Sequence, residues 1–138
     1  MSNKIKKLFD SKGYVIIKGA LNYHQDLKPI LQDMEFVMNR LVHKFVNKKY
    51  KSKIFQYKLT KKYSYLSKIN IPSLDQYFNI RMPQNDIKKD SDFFATQSIW
   101  NLITNEQILK NISKILGQEI SSHPSQNSRI KQPEINIS

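Results

Sequence analysis

Apolar residues at helical spacing dominate the pattern of the chain. The longest such stretch runs from Leu27 to Val46, where apolar side chains recur every three or four residues. Pro29 lies near its start, which the first turn of a helix tolerates because an amide hydrogen there has no helical partner. Asn22 is a suitable N-cap for the element that begins after it. We predict one long helix with a core-facing side over this stretch.

Shorter helical patterns occur on both sides of this stretch. Residues 5–9 carry apolar side chains at i, i+3 and i+4, and Gly13 follows as a helix end. Residues 104–107 have the form of a capping box, and the helix that they start is predicted to end at Gly117. One or two further helices are predicted in residues 50–70, where the pattern is less regular. We therefore expect a mainly helical chain.

Short strands are predicted between these helices. Residues 14–17 form a compact aromatic and β-branched run between two glycines, which is typical of a buried strand. Residues 118–122 and 128–131 also have the pattern of extended segments, and the polar residues 81–92 predict a loop. The predicted fold class is α+β, with a helix-rich N-terminal region and two to four short strands.

The composition is that of one ordered domain. With 39% hydrophobic residues among 138, the chain is long enough to form a single core. It contains no cysteine, which excludes disulfides, thiolate metal sites and cysteine nucleophiles. No apolar run is long enough to cross a membrane, and the N-terminus does not resemble a signal peptide. We expect a cytoplasmic protein without a membrane partner.

The net charge of +12 is concentrated in one part of the chain. Residues 36–74 contain no acidic residue and ten basic ones, all between residues 40 and 68: Arg40, Lys44, Lys48, Lys49, Lys51, Lys53, Lys58, Lys61, Lys62 and Lys68. Such a stretch attracts polyanions, and tyrosines interleaved with its lysines are able to stack on bases. However, only three of the 23 basic residues are arginine, the residue preferred for phosphate and base recognition. This scarcity favours a solvated lysine-rich face over a nucleic-acid interface.

The sequence contains no complete active-site motif. His24 and Asp26 form a His-x-Asp string, but it lies at the entry to the long helix, so a capping or surface role is expected. His43 lies on the flank of that helix, and His123 precedes a proline. Neither a Gly-rich phosphate loop nor the spacing of a Ser-His-Asp triad occurs. The residues alone therefore predict no catalytic centre and no metal site.

Three segments in order resemble the phytanoyl-CoA dioxygenase family. Residues 9–21, FDSKGYVIIKGAL, resemble the family's opening, in which a short helix leads into a strand and then a long helix. Residues 108–120, ILKNISKILGQEI, resemble a family helix that ends in ILG and is followed by a strand. Residues 123–134 resemble the strand that precedes the family's iron motif. The basic middle of the chain adds nothing to the match.

This resemblance implies the N-terminal portion of an oxygenase that uses Fe(II) and 2-oxoglutarate to hydroxylate a small-molecule substrate. Family members form a double-stranded β-helix, or jelly roll, framed by N-terminal helices. We therefore expect residues 1–138 to be a single partial domain, an incomplete jelly roll. The family holds its iron with His-x-Asp and a distant His, which have no counterpart at the matching positions. Whether this chain is an enzyme stays open; alone it is expected to be an inactive fragment that binds neither cofactor.

The resemblance implies that Lys131 lies near the cosubstrate, 2-oxoglutarate. Its ammonium group would pair with a 2-oxoglutarate carboxylate as a point charge, and Gln126 and Arg129 lie near the same strand. The alternative for Lys131 is an exposed lysine at a strand end. The alternative for the whole chain is a non-enzymatic basic module that binds nucleic acid or another polyanion through residues 40–68.

Overall fold

The computed structural model describes residues 2–72, 74–78, 80–81, 96–121 and 125–126, most of which are helical. In chain order the elements are α1 (Ser2–Lys12), a π-helix (Tyr23–Leu27), α2 (Lys28–Phe45), α3 (Lys48–Phe55), α4 (Leu59–Lys68), a 3-10 helix (Leu74–Phe78), β1 (Ile80–Arg81), α5 (Gln97–Ile103), α6 (Glu106–Leu116) and β2 (Ser125–Gln126). These elements divide into two compact units. Unit 1 comprises Met1–Ile30 and Thr96–His123, and unit 2 comprises Leu31–Ala95 and Pro124–Ser138.

The predicted α+β fold with an incomplete jelly roll is wrong. In the described part of the chain, regular strand is limited to β1 and β2, which pair antiparallel with Ile80 opposite Gln126 and Arg81 opposite Ser125. A strand of two residues is far shorter than the five or six that are typical, and a single pair cannot form a sheet layer. Most of the described residues lie in helices instead.

The segment Tyr14–Ile17 is irregular, so the strand predicted there is also wrong. Tyr14 is 60% exposed and Ile16 is 78% exposed, and no described strand lies in unit 1 to pair with this segment. A β-branched run forms a strand only when cross-strand neighbours pack against it, because β propensity measures that packing. Residues 118–121 are irregular as well, and residues 128–131 and most of the loop predicted at 81–92 lie outside the described residues.

The helical predictions are confirmed for most elements. The long helix is α2, with Pro29 in its first turn, and residues 50–70 contain the end of α3 and all of α4. Asn22 caps the π-helix, because its side-chain oxygen accepts from the backbone N–H groups of His24 and Gln25 at 2.9 and 3.1 Å. The left-handed φ of +74° at Gly13 ends α1 as predicted.

The capping box predicted at residues 104–107 is replaced by a different cap. The side-chain oxygen of Asn105 accepts from the backbone N–H groups of Gln107 and Ile108 at 2.9 and 3.2 Å. Thr104 ends α5 instead, and its hydroxyl donates to the carbonyl of Trp100 at 2.7 Å. The two helices are joined so closely that the threonine is held by the first and only the asparagine is left to cap the second.

Unit 2 has a closed apolar core. Leu41 and Val42 of α2 and Leu66 of α4 are all 0% exposed. Tyr63 of α4 packs edge-on against Phe78 of the 3-10 helix, with ring centroids 5.9 Å apart. Burial of such side chains contributes about 1.5–3 kcal/mol each. The core of this unit therefore includes side chains of α2, α4 and the 3-10 helix.

Unit 1 is built from α1 packed against α6 and α5 packed against the π-helix. Asp26 links the π-helix to the start of α6: one carboxylate oxygen accepts from the N–H of Asn22 at 2.6 Å and the other from the side-chain amide of Asn105 at 2.9 Å. The sequence predicted a capping or surface role for the His-x-Asp string, and Asp26 has the first of these. In the described ranges, no helix is both long and apolar enough to cross a membrane.

Candidate binding surface of unit 2

The acid-free stretch 36–74 folds into most of α2 and all of α3 and α4. Eight of its ten basic side chains are exposed. Among the described residues, seven of these eight have no carboxylate partner: Lys44, Lys48, Lys49, Lys53, Lys58, Lys61 and Lys68. Ammonium groups that are not neutralised by nearby carboxylates produce a positive potential that attracts anions. This set of seven lysines is called the lysine surface below.

Two lysines of the stretch have structural contacts instead. The Lys51 ammonium donates to the carbonyl of His43 at 2.6 Å, in the last turn of α2, where carbonyls lack helical partners. Lys62 is 0% exposed, and its ammonium donates to the Glu35 carboxylate at 2.9 Å and to the Asn39 side-chain oxygen at 2.7 Å. Lys62 therefore joins α4 to α2 through a charged group inside the unit.

The burial of Lys62 was missed by the sequence reasoning, which counted it with the solvated lysines. A signal was present, because Lys62 lies three residues after Leu59 and four before Leu66, on the apolar side of α4. Its two acceptors, Glu35 and Asn39, are four residues apart and so share one face of α2. Nothing in the sequence indicated that this face of α2 meets that side of α4.

The four tyrosines of the basic stretch do not share one environment. Tyr63 is 3% exposed and belongs to the core, whereas Tyr50 is 48% exposed. Tyr57 and Tyr65 are half-buried. The Lys61 ammonium lies 4.4 Å from the centroid of the Tyr57 ring, a distance at which the cation is attracted to the ring face. Three of the four rings are therefore accessible in part, and one is purely structural.

A cleft of about 330 Å³ opens beside the lysine surface. It lies where α2 ends, α3 begins and α4 ends, and its aromatic lining consists of Phe45, Tyr50 and Tyr65. Asn47 and Asn70 contribute amide groups to the lining. Its volume is at the lower end of the range for small-ligand sites, which are typically apolar with a few polar groups. The sequence reasoning placed Phe45 in the apolar pattern of the long helix and assigned no role to Asn47 and Asn70.

Positive charge lies next to the aromatic lining of this cleft. The Lys44 ammonium is 5.3 Å from the centroid of the Phe45 ring, and the Lys49 ammonium is 5.7 Å from that of Tyr50. Because both rings line the cleft, both ammonium groups lie close to its aromatic wall. A ligand with a flat apolar group beside an anionic group would match this arrangement.

The two asparagines of the cleft also have local structural roles. Asn47 caps α3, because its side-chain oxygen accepts from the N–H of Lys49 at 3.0 Å. Asn70 follows α4 with a φ of +56°, a conformation that asparagine adopts more readily than most residues. The Asn70 side-chain amide makes no hydrogen bond to another described residue. Its donors and acceptor are therefore available to a ligand.

Of the cosubstrate residues that the oxygenase resemblance singled out, only Gln126 lies among the described residues. Gln126 lies in β2, opposite Ile80, and both Arg129 and Lys131 lie outside the described residues, as does His123. His24 and His43 are exposed, and the described part of the chain holds no group of three His, Cys, Asp or Glu side chains able to bind a metal.

No protein-family model matches the chain, and no curated protein or solved structure is similar enough to count as a match.

Proposed function

We propose that unit 2 binds nucleic acid through the lysine surface, without reading its sequence. The proposal rests on one observation: residues 36–74 contain no carboxylate, and the seven lysines of this surface are exposed. An ammonium group binds a phosphate as a point charge and does not need the planar fork of arginine. The scarcity of arginine argues against specific base recognition, and it leaves contacts to the phosphate backbone open.

Such binding would depend strongly on salt. Each phosphate that a lysine neutralises releases counterions, and for single strands it contributes about −0.7 to the slope of log affinity against log salt concentration. Contacts from about four of the seven lysines would give a slope of about −3. A lysine surface that only keeps the protein solvated would give weak binding that is insensitive to which lysines are changed.

The test is a fluorescence-anisotropy titration of labelled oligodeoxythymidine, about 12 nucleotides long, over a range of salt concentrations. The variant Lys48→Glu/Lys49→Glu reverses two charges in the first turn of α3, where glutamate is compatible with the helix dipole. We expect the affinity of this variant for the oligonucleotide at low salt to fall about tenfold or more. The slope of log affinity against log salt concentration should become less negative by about 1.4.

The matched control is Lys4→Glu/Lys7→Glu, which makes the same change in net charge on exposed positions of α1 in unit 1. We expect this pair to have little effect, because no comparable acid-free surface surrounds it. Absence of binding at low salt would remove the proposal. An equal loss of affinity in both double variants would show that binding reflects only the net charge of the protein and not the lysine surface.

The sequence resemblance supports a second proposal, that the chain is the N-terminal portion of a phytanoyl-CoA dioxygenase-like oxygenase. Its support is the sequence resemblance at residues 9–21, 108–120 and 123–134. The proposal requires His-x-Asp and a distant His from further sequence of the same polypeptide. The lysine surface would then attract an anionic substrate such as a CoA thioester.

Sequencing the DNA beyond codon 138, followed by an assay of the extended protein, tests this second proposal. We expect His-x-Asp within a few tens of codons, and Fe(II)-dependent turnover of 2-oxoglutarate whose KM rises in a Lys131→Met variant. An open reading frame that continues without the motif would exclude it. Stoichiometric Fe(II) binding and turnover by residues 1–138 alone would contradict the expectation that this part is inactive.

A further inference from the structure

We infer that the cleft lined by Phe45, Tyr50 and Tyr65 receives one unpaired base of a bound single strand. This inference rests on the proposed nucleic-acid function and goes beyond it, because phosphate contacts alone would not distinguish single strands from duplexes. The lysine surface accounts for the charge of the partner. The cleft accounts for three aromatic rings that are only partly covered by the protein itself.

The aromatic lining has the exposure that a stacking surface requires. Tyr50 is 48% exposed and Phe45 is 38% exposed, so both rings have area that a planar ligand can cover. Tyr65 is half-buried and projects from α4, which fixes its position. Every base has an aromatic face, so stacking in such a cleft is tolerant of sequence. This tolerance agrees with a lysine surface that makes no base-specific contacts.

The amide groups provide hydrogen bonds for the edge of the base. The Asn70 amide has both donor and acceptor capacity and makes no hydrogen bond to another described residue, and the Asn47 side chain keeps its NH₂ donors after capping α3 with its oxygen. In a duplex, these edges are paired and the base faces are stacked. An unpaired base alone presents both a face to the rings and an edge to the amides.

The lysines beside the rings fit the phosphates that flank such a base. Lys44 and Lys49 hold their ammonium groups 5.3 and 5.7 Å from the centroids of Phe45 and Tyr50. A nucleotide carries its phosphate only a few bonds from its base, so a base in the cleft would bring its phosphate near these cations. The short distance between the rings and the ammonium groups therefore matches the short distance between a base and its phosphate in a single strand.

Three probes of equal length separate base binding from phosphate binding: oligodeoxythymidine, an abasic phosphodiester with the same number of phosphates, and a duplex. The whole 138-residue chain is titrated with each at one low salt concentration. We expect oligodeoxythymidine to bind on the order of 5- to 150-fold more tightly than the abasic strand, the range for stacking of one base. We expect the duplex to lack this advantage as well.

Substitutions in the cleft then test its residues. Tyr50→Ala should reduce the affinity for oligodeoxythymidine to the abasic level, whereas Tyr50→Phe, which keeps the ring, should retain most of the advantage. Asn70→Gly keeps the left-handed backbone and removes the amide, so we expect a loss of about 2- to 10-fold. The control is Tyr23→Ala on the π-helix, where a tyrosine is 54% exposed but lines no described part of this cleft.

The salt dependence of the affinity distinguishes binding of a base in the cleft from binding of phosphates by the lysine surface. Tyr50→Ala should leave the slope of log affinity against log salt concentration unchanged because it removes no charge. Lys48→Glu/Lys49→Glu should make this slope less negative. Equal binding of oligodeoxythymidine and the abasic strand, equally tight binding of the duplex, or unchanged binding by Tyr50→Ala would overturn the base-binding cleft and leave the lysine proposal standing. Absence of binding by all three probes would overturn both.

If circular dichroism shows that Tyr50→Ala unfolds the chain, Tyr50→Leu keeps apolar bulk without a ring and decides the question.

Discussion

The two units use similar amphipathic helices but bury them to very different extents. In the described residues, eleven of the twelve buried hydrophobic side chains lie in unit 2, and only Ile99 lies in unit 1. Helix α6 has a well-defined apolar face and no buried residue, whereas α2 buries four residues. Amphipathicity makes a face available for packing. Only a sufficient number of surrounding elements excludes water from it.

The two units also differ in which side chains their surfaces expose. Unit 1 also exposes large apolar groups, with Trp100 57% and Leu116 67% exposed, but it has no acid-free stretch as long as residues 36–74. Unit 2 also exposes some apolar groups, such as Phe36 at 64%, but it buries eleven others in its described part and exposes the seven lysines. The buried side chains of unit 2 include residues of α2, α3 and α4, and these helices carry the lysine surface and the aromatic rings of the cleft. Three sets of substitutions test whether the contrast in burial is a contrast in stability.

The largest effect is expected from truncating the core of unit 2. Leu41→Ala removes a side chain that is 0% exposed, and we expect a loss of about 3 kcal/mol in the free energy of unfolding. Leu109→Ala in α6 removes a side chain that is 36% exposed, and we expect a loss below about 1 kcal/mol. Urea denaturation followed by circular dichroism measures both. Equal losses would show that unit 1 is packed as tightly as unit 2.

A somewhat smaller effect is expected from removing the counterion of Lys62. Glu35→Met leaves the buried ammonium with Asn39 as its acceptor, and we expect a loss of about 2 kcal/mol. This value is below the typical cost of breaking a buried ion pair, because the Glu35 side chain is 48% exposed and water can approach the vacated position. The same denaturation experiment measures it.

The matched double variant Glu35→Met/Lys62→Met removes both charges and keeps apolar bulk between α2 and α4. We expect it to recover most of the lost stability, because a neutral pair leaves no buried charge unsatisfied. If the double variant is less stable than Glu35→Met, the lysine contributes through contacts other than this ion pair.

The smallest effect is expected from the cap of α6. Asn105→Ala removes two hydrogen bonds to backbone N–H groups and the bond to Asp26, and we expect a loss of about 1 kcal/mol. Trp100 is the single tryptophan of the chain and lies in α5 of unit 1, so its fluorescence during urea denaturation reports on this unit. The control is Asn47→Ala, which removes the cap of α3 in unit 2 and should leave the Trp100 transition unchanged.

Local signals predicted the helices well and the strands poorly, for a single reason. The ends of α1 and α6 depend on Gly13 and Gly117, whose left-handed backbone follows from the lack of a side chain. The strand predicted at Tyr14–Ile17 depends on a neighbouring strand, and none is described in unit 1. The sequence predicted Thr104 as the cap of α6, whereas Asn105 is the cap because Thr104 ends α5.

The sequence by itself determined the helical periods, the cap at Asn22, the helix ends at Gly13 and Gly117, and the absence of carboxylates from residues 36–74. Each of these properties follows from the order of residues along the chain alone. Tertiary structure decided that Lys62 is buried against Glu35, which is 27 residues away, and that Tyr63 enters the core while Tyr50 lines a cleft. The physical reason is that burial depends on which distant faces meet, and a helix period indicates only that a face exists.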